Sequence, residues 1–400
     1  MPACVALRVA VFLACMQAPL ACAQNFADAL RSGKFSADLR YRYEVVDQAN
    51  ALQNARASTL RARGGYETGA WRNWWSAMLE VEAVAAIGSE RYNSTVNGRT
   101  NYAAVVDPAG AEINQAWLRY SGFPATRITY GRQRIVLDNQ RFIGAVGWRQ
   151  NEQTFDALWA VNEGVPRTRL SAGYIYNVNR VTGEKSPLGN FKSASPILNA
   201  SYRGFAAGEL TGYGYLLDLP NAAASSTRTW GLRFKGDASV NRDVKALYAA
   251  EYATQHGWRD NPRRYGVKYY FFEGGLGFKD MELRLGHEVL GSDGANAFQT
   301  PLATGHAFNG WADQFLTTPA GGLRGTHLKA GATLGGVRLD AIYHSLRADR
   351  GGARYGSEWD LQAVLPFRQH YAVGIKYAAY TAKSFSVDTN KIWLWLEAKY

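Results

Sequence analysis

FSADLRYRYEV, residues 35–45, decides the fold. Phe35, Ala37, Leu39, Tyr41, Tyr43 and Val45 alternate with Ser36, Asp38, Arg40, Arg42 and Glu44. A β-strand points successive side chains to opposite faces. One face of this strand is therefore wholly apolar and aromatic, and the other carries both signs of charge. In a soluble sandwich the apolar face would be core. In a transmembrane barrel it meets lipid, and the charged face lines the lumen.

The same alternation returns along the chain. Leu60, Ala62 and Tyr66 oppose Arg61, Arg63 and Glu67; Leu79, Val81 and Ala83 oppose Glu80 and Glu82. Tyr174 and Tyr176 oppose Asn177 and Ser171, and Leu283 and Leu285 oppose Glu282 and Arg284. Such segments number about eighteen, from 34–46, 57–68 and 74–86 through 197–203 to 390–400. Their connections alternate in length. Short ones such as 121–126 and 335–336 follow one end of the strands, and long ones (87–110, 136–152, 179–196, 292–322) follow the other. Short periplasmic turns with long outer loops fit an all-β fold: a single antiparallel transmembrane barrel with both termini on the periplasmic side. No repeat or linker divides residues 24–400, which read as one domain.

Composition agrees. In 400 residues the 12 Trp, 23 Tyr and 17 Phe supply the aromatics that barrels place at the membrane borders. Past residue 23 no apolar run approaches the ~18 residues of a membrane-spanning helix. The formal charge is +12, which favours anionic partners: a charged solute or lipopolysaccharide. Nucleic acid fits poorly, because no basic helix, finger or stacking platform accompanies the charge.

Residues 1–23 have the form of a secretory signal peptide: Arg8, the apolar run Val9–Met16, and Ala21-Cys22-Ala23 before Gln24. A lipoprotein signal at Cys22 is the weaker alternative, since Pro19 stands where a leucine is expected. Cys4, Cys15 and Cys22 are the only cysteines, so residues 24–400 hold neither a disulfide nor a thiolate metal site. At the other end Ile392, Leu394, Leu396, Ala398 and Tyr400 form one face against Lys391, Glu397 and Lys399. An apolar last strand ending in an aromatic residue resembles the assembly signal of outer-membrane barrels. Tyr400, Leu396 and Leu394 are thus expected to engage the barrel assembly machinery.

The period of two fails after Tyr130, in YGRQRIVLDNQRFIGAVGWRQNEQTFDAL, residues 130–158. Here Arg132, Arg134, Arg141 and Arg149 crowd together, with Asp138 and Asp156 beside them. The pattern predicts that the chain leaves the wall near Arg134, folds inward as a constriction loop and returns near Phe155. Arginine there suits carboxylate recognition through its planar, permanently charged fork. The same guanidinia could instead pair with Asp138, Asp156 or loop carbonyls and merely hold the loop. A second basic set, Arg40, Arg42, Arg61 and Arg63, faces inward on adjacent strands, with Glu44, Glu67, Glu80 and Glu82 nearby to neutralise part of it.

This stretch, together with AFQTPLATGHAFNGWADQFLTTPAGGLR at 297–324 and DTNKIWLWLEAKY at 388–400, resembles the alginate export family of outer-membrane channels. The resemblance implies an 18-stranded barrel whose pore, lined by Arg132, Arg134, Arg141 and Arg149, passes an anionic polyuronate. An uptake porin for small carboxylates and a structural or adhesive barrel without transport are the alternatives. Enzyme signatures are weak. The six histidines lack metal spacing, and His344-Ser345, the one Ser–His neighbour pair, would face apart on a strand. No cofactor is implied.

Overall fold

The computed structural model describes residues 25–400; the expected leader, 1–23, lies outside them. A short helix, α1 (Phe26–Arg31), is capped by Asn25, whose side chain accepts from the Asp28 amide. Eighteen strands follow: β1 (Lys34–Gln48), β2 (Ala55–Glu67), β3 (Trp75–Ala86), β4 (Gly110–Tyr120), β5 (Thr126–Gln133), β6 (Thr154–Asn162), β7 (Thr168–Asn179), β8 (Asn190–Phe205), β9 (Gly208–Leu217), β10 (Thr227–Ser239), β11 (Val244–Gly257), β12 (Gly266–Phe278), β13 (Met281–Leu290), β14 (Leu323–Leu334), β15 (Val337–Arg347), β16 (Arg354–Phe367), β17 (Tyr371–Ala382) and β18 (Thr389–Lys399).

Each strand pairs antiparallel with the next, and β1 pairs with β18 from Asp38↔Lys399 to Gln48↔Thr389, closing the sheet. Closure leaves no open edge, which a membrane does not tolerate. The seam is finished by the last residue: the Tyr400 amide donates to the Ala37 carbonyl at 2.8 Å, and the Ala37 amide donates back at 2.9 Å. The Tyr400 ring stacks on His370.

The alternation holds as expected. Leu39, Tyr41, Leu79, Leu158, Tyr174, Trp230, Leu285 and Trp359 stand exposed on the outer surface, while Arg42, Arg61, Glu82 and Glu288 are buried within. An apolar surface wrapped around the whole barrel far exceeds the few hundred Å² a soluble monomer exposes, so lipid is its solvent. The hairpin between β14 and β15 turns on Gly335 and Gly336, both at positive φ, as a two-residue connection requires.

β8 departs furthest from the pattern. The expected 197–203 is β8, which runs from Asn190 and shortens the loop before it. Pro196 hid this extension. It pairs with Tyr174 beside a register shift at Ile175/Asn177, and a bulge is where a strand accepts a residue without an N–H.

Candidate functional site

The chain leaves the wall after Gln133 and rejoins it at Thr154. Between them the loop folds into the lumen, as do 87–109 and 291–322. Loop 134–153 pairs with loop 291–322 through the Ile143↔Leu302 bridge, and the Gly144 amide donates to the Leu302 carbonyl at 3.0 Å. Phe142 packs among Tyr213, Tyr215, Tyr269 and Phe298. The interior thus has an apolar core built from loop residues and inward wall aromatics.

Charge anchors this core to the wall. Arg149 Nη1 lies 3.3 Å from Glu44 and 3.9 Å from Asp107, and its Nη2 3.0 Å from Asp313. Arg141 forks onto Glu288 at 2.6 and 3.1 Å, and Asn309 donates to the same carboxylate at 2.8 Å. Arg42 contacts Asp107 at 3.3 Å and Glu44 at 3.9 Å, and donates to the Trp148 carbonyl. Arg40 meets no carboxylate among the described residues; it donates to Gln150 Oε1 and to the carbonyls of Gly147 and Arg149. Arg61 lies 2.6 Å from Asp38 and 3.5 Å from Glu397. Arg63 pairs with Glu82 and, at 3.2 Å, with Glu152. Arg134 joins Glu80 to Glu152.

Three expectations need correction. Arg132 and Asp156, 2.9 Å apart, stand opposite each other at a register position alternate to the buried Phe155 and Ala157. They share the parity of lipid-facing Tyr130 and Leu158, so they lie on the outward side of the rim rather than in the lumen. β5 stays in the wall through Gln133, and the alternation persists with it. Asp138 pairs with no arginine among the described residues; it accepts from Asn199 at 2.9 Å and Tyr215 at 3.3 Å.

Sequence reasoning missed a second set of contacts that holds loop 291–322 to the wall. Lys376 Nζ sits 3.8 Å from the Trp148 ring centroid and 4.0 Å from that of Trp311, a desolvated cation–π sandwich. It also lies 3.2 Å from His306 Nε2. His306 Nδ1 is 2.8 Å from Asp313, which Lys391 meets at 2.9 Å. Burial pushes the His306 imidazole down to about 3, against the pull of Asp313, so it is neutral near pH 7. Burial would raise Asp313, but Lys391, His306 and Arg149 outweigh it and hold the carboxyl well below the usual range. The loop backbone is held as well: the Trp311 amide donates to Asp360 at 3.2 Å, and the Ala312 amide to Glu358 at 2.5 Å. His344 points inward, 3.2 Å from Asp360, and Ser345 has the opposite parity, so the two form no common site.

Toward the short turns the inner wall is different. On β12–β15, Glu273, Arg284, Glu282, Lys329, Arg338 and Asp340 form a ladder of alternating charge, with Arg284–Glu273 at 2.9 Å and Arg338–Glu282 at 2.7 Å. Among the described residues no loop side chain pairs with it, and these side chains keep partial exposure.

At the outer mouth a cavity of about 370 Å³ opens between loops, lined by Arg180, Phe191, Arg263, Tyr265, Gln299 and Thr318 among others. Arg180 stacks on Phe191 at 4.2 Å and donates to the Leu188 carbonyl. Neither Arg180 nor Arg263 has an acidic partner among the described residues. Burial lowers the Arg180 pKa and pushes the Tyr265 phenol up to about 12, keeping it a donor. No periodic pattern marks Arg180 and Arg263, because both lie outside the strands.

The sequence pattern of the alginate export family matches residues 32–284, more than half of the chain. The chain belongs to the alginate export family. No curated protein matches the sequence of this family member. Its fold is that of solved outer-membrane porins. OccAB4 of Acinetobacter baumannii superposes with a TM-score of 0.74 at 13% identity, covering 92% of this chain and 98% of that one. OccD3 (OpdP) of Pseudomonas aeruginosa gives 0.71 at 12%, covering 93% and 92%. OpdK of the same species, crystallised with vanillate, gives 0.71 at 13%, covering 93% and 99%. The chain is thus an 18-stranded outer-membrane β-barrel of the alginate export family.

Proposed function

We propose that this porin is a passive, anion-preferring channel for small carboxylates of the size of one uronate unit, entering through the outer mouth. The carrying observation is the pairing of two acid-free arginines, Arg180 and Arg263, in a cavity of about 370 Å³ that also offers an aromatic face and neutral donors. That volume lies at the lower end for small-molecule sites. A guanidinium with no carboxylate of its own is free to take one from solution. Within the lumen, Arg40, Arg42, Arg63, Arg134, Arg141 and Arg149 act by holding the loops that set its width, while Arg61 ties wall strands through Asp38 and Glu397. The small-solute reading also accords with vanillate, the carboxylate found with OpdK. Passage of a uronate polymer, which the family's description suggests, is the competing reading.

Planar-bilayer recording tests this. The wild-type reversal potential under a salt gradient should report anion preference, and glucuronate should block the current. Arg180→Ala and Arg263→Ala should each weaken block about threefold to tenfold, on the order of 1 kcal/mol for a partly screened charge-assisted contact. A cation-selective channel overturns the proposal. Block by long polyuronate but not by the monomer favours polymer transport, and a barrel that folds but never conducts favours a structural role.

A further inference from the structure

The outer surface of the barrel carries a charge cluster that conduction does not use. We infer that the rim over β14, β15 and β16 is a docking site for the phosphates of an outer-leaflet glycolipid of the lipid A type, with Arg324, Arg347 and Arg354 as its cationic contacts.

Register brings the three together. Arg324 is paired with Arg347, and Arg347 with Arg354, across adjacent strands. All three are exposed. Arg324 is opposite Val289 on the outward parity, and Arg347 continues the outward series Leu339, Ala341 and Tyr343. Directly paired cross-strand residues lie ~5 Å apart, where like charges destabilise the sheet. Three arginines in a row are therefore costly unless an anion sits among them.

The protein supplies little of that anion. Asp349, partly buried, lies 2.8 Å from Arg324 and 3.9 Å from Arg350, and its second oxygen accepts from the Ser292 amide. The guanidinia of Arg347 and Arg354 make no hydrogen bond or ion pair among the described residues. The rim on the far side of the barrel is neutralised internally: there Arg132 is matched by Asp156, which also accepts from Asn177 and Asn179.

Position selects a lipid over a soluble anion. Below the arginines, toward the membrane centre, stand the packed rings of Tyr343 and Trp359, 4.9 Å apart, and the exposed Leu328. Aromatic rings of this kind mark the border of the apolar band. A molecule with acyl chains against these side chains and phosphates one step higher satisfies both surfaces at once. Guanidinia bind phosphate bidentately, and two phosphates on one headgroup match a row of three cations. The same parity continues as Lys268, His256 and Arg228 on β12, β11 and β10, extending the basic surface for neighbouring headgroups.

The test uses the full barrel purified in detergent, with lipid binding read by native mass spectrometry. The probes are bisphosphorylated lipid A, its fully dephosphorylated form and inorganic phosphate. Wild type should retain bisphosphorylated lipid A and release the dephosphorylated form. The double variant Arg347→Gln/Arg354→Gln should bind at least tenfold more weakly, with unchanged heat-modifiable migration and unchanged conductance, since both residues lie outside the lumen. Arg56→Gln/Arg99→Gln, which removes two exposed arginines elsewhere, should bind as wild type does. Equal binding by the Arg347/Arg354 variant, equal weakening in the control variant, or displacement of the lipid by millimolar inorganic phosphate would each overturn the assignment.

Discussion

Arg149 and Arg338 both face the interior of the barrel, and each meets more than one carboxylate. Arg149 is 8% exposed and bridges Glu44, Asp107 and Asp313 from three separate parts of the chain. Arg338 has a side chain 36% exposed and touches Glu282 at 2.7 Å and Asp340 at 2.8 Å on neighbouring wall positions. The contacts look alike as distances but differ as energies. Removing one partner of a buried network strands the others without water, whereas a solvated pair exchanges its partner for water and ions. The loops make this difference: they cover the first wall and leave the second open. An inward arginine is thus a structural bolt under a loop and a soft, screened charge where no loop reaches.

The largest effect should come from Arg149→Met. It leaves Glu44, Asp107 and Asp313 with one cation fewer in a dry setting, at a cost of about 3–5 kcal/mol. The barrel wall has its own hydrogen-bond ladder and should persist, so the loss should appear as loop release. Single-channel records should show higher open conductance and more current noise, and adding Glu44→Gln should recover part of the quiet state. A quiet channel of wild-type conductance would mean that the loops are held elsewhere.

A smaller effect should follow pH. His306 is neutral and buried, with its pKa pushed down to about 3, whereas a released loop would titrate near 6.5. Between those values the released state binds the extra proton, so acid favours release and the folded loop loses stability as pH falls below about 6.5. Asp313 adds no acid sensitivity in that window: its carboxyl is depressed, so its contribution is full above the ordinary carboxylate range and fades only as pH falls from that range through the folded value. Loop noise should therefore rise between pH 7 and pH 4.5, and His306→Gln should flatten that dependence. An unchanged acid response in His306→Gln would place the sensor on another group.

The wall was legible in the sequence because its signal is local. Alternation such as Leu39-Arg40-Tyr41-Arg42 needs only neighbours to define two faces, and loop 134–153 announced itself by breaking that rhythm. Where Pro196 and a bulge disturbed the rhythm, the strand was cut short. The partners of the inward side chains were not legible, because they come from far along the chain: Arg141 meets Glu288, and Lys376 meets Trp148 and Trp311. Arg132 misled for a related reason, since its place in an arginine-rich run suggested the lumen while strand parity sends it outward. The mouth residues Arg180 and Arg263 lie outside the strands, where no periodicity exists to single them out.

The smallest effect should come from the open wall, and it sharpens the contrast most directly. Arg338→Gln removes a guanidinium from two carboxylates that keep access to water, with Lys329 still 3.3 Å from Glu282. The stability cost should be about 0–1 kcal/mol and should shrink further in high salt, because exposed ion pairs are screened over a Debye length of ~10 Å at 0.1 M. Current noise should not change, since no loop is tied to this residue. Ion preference should shift slightly toward cations, by the loss of one partly screened positive charge at the periplasmic end. Measuring Arg338→Gln and Arg149→Met side by side at low and high salt separates the two regimes: salt should abolish the small effect and leave the large one nearly intact. Equal salt sensitivity in both variants would mean that water reaches Arg149 as freely as Arg338, and that the loops do not seal the inner wall.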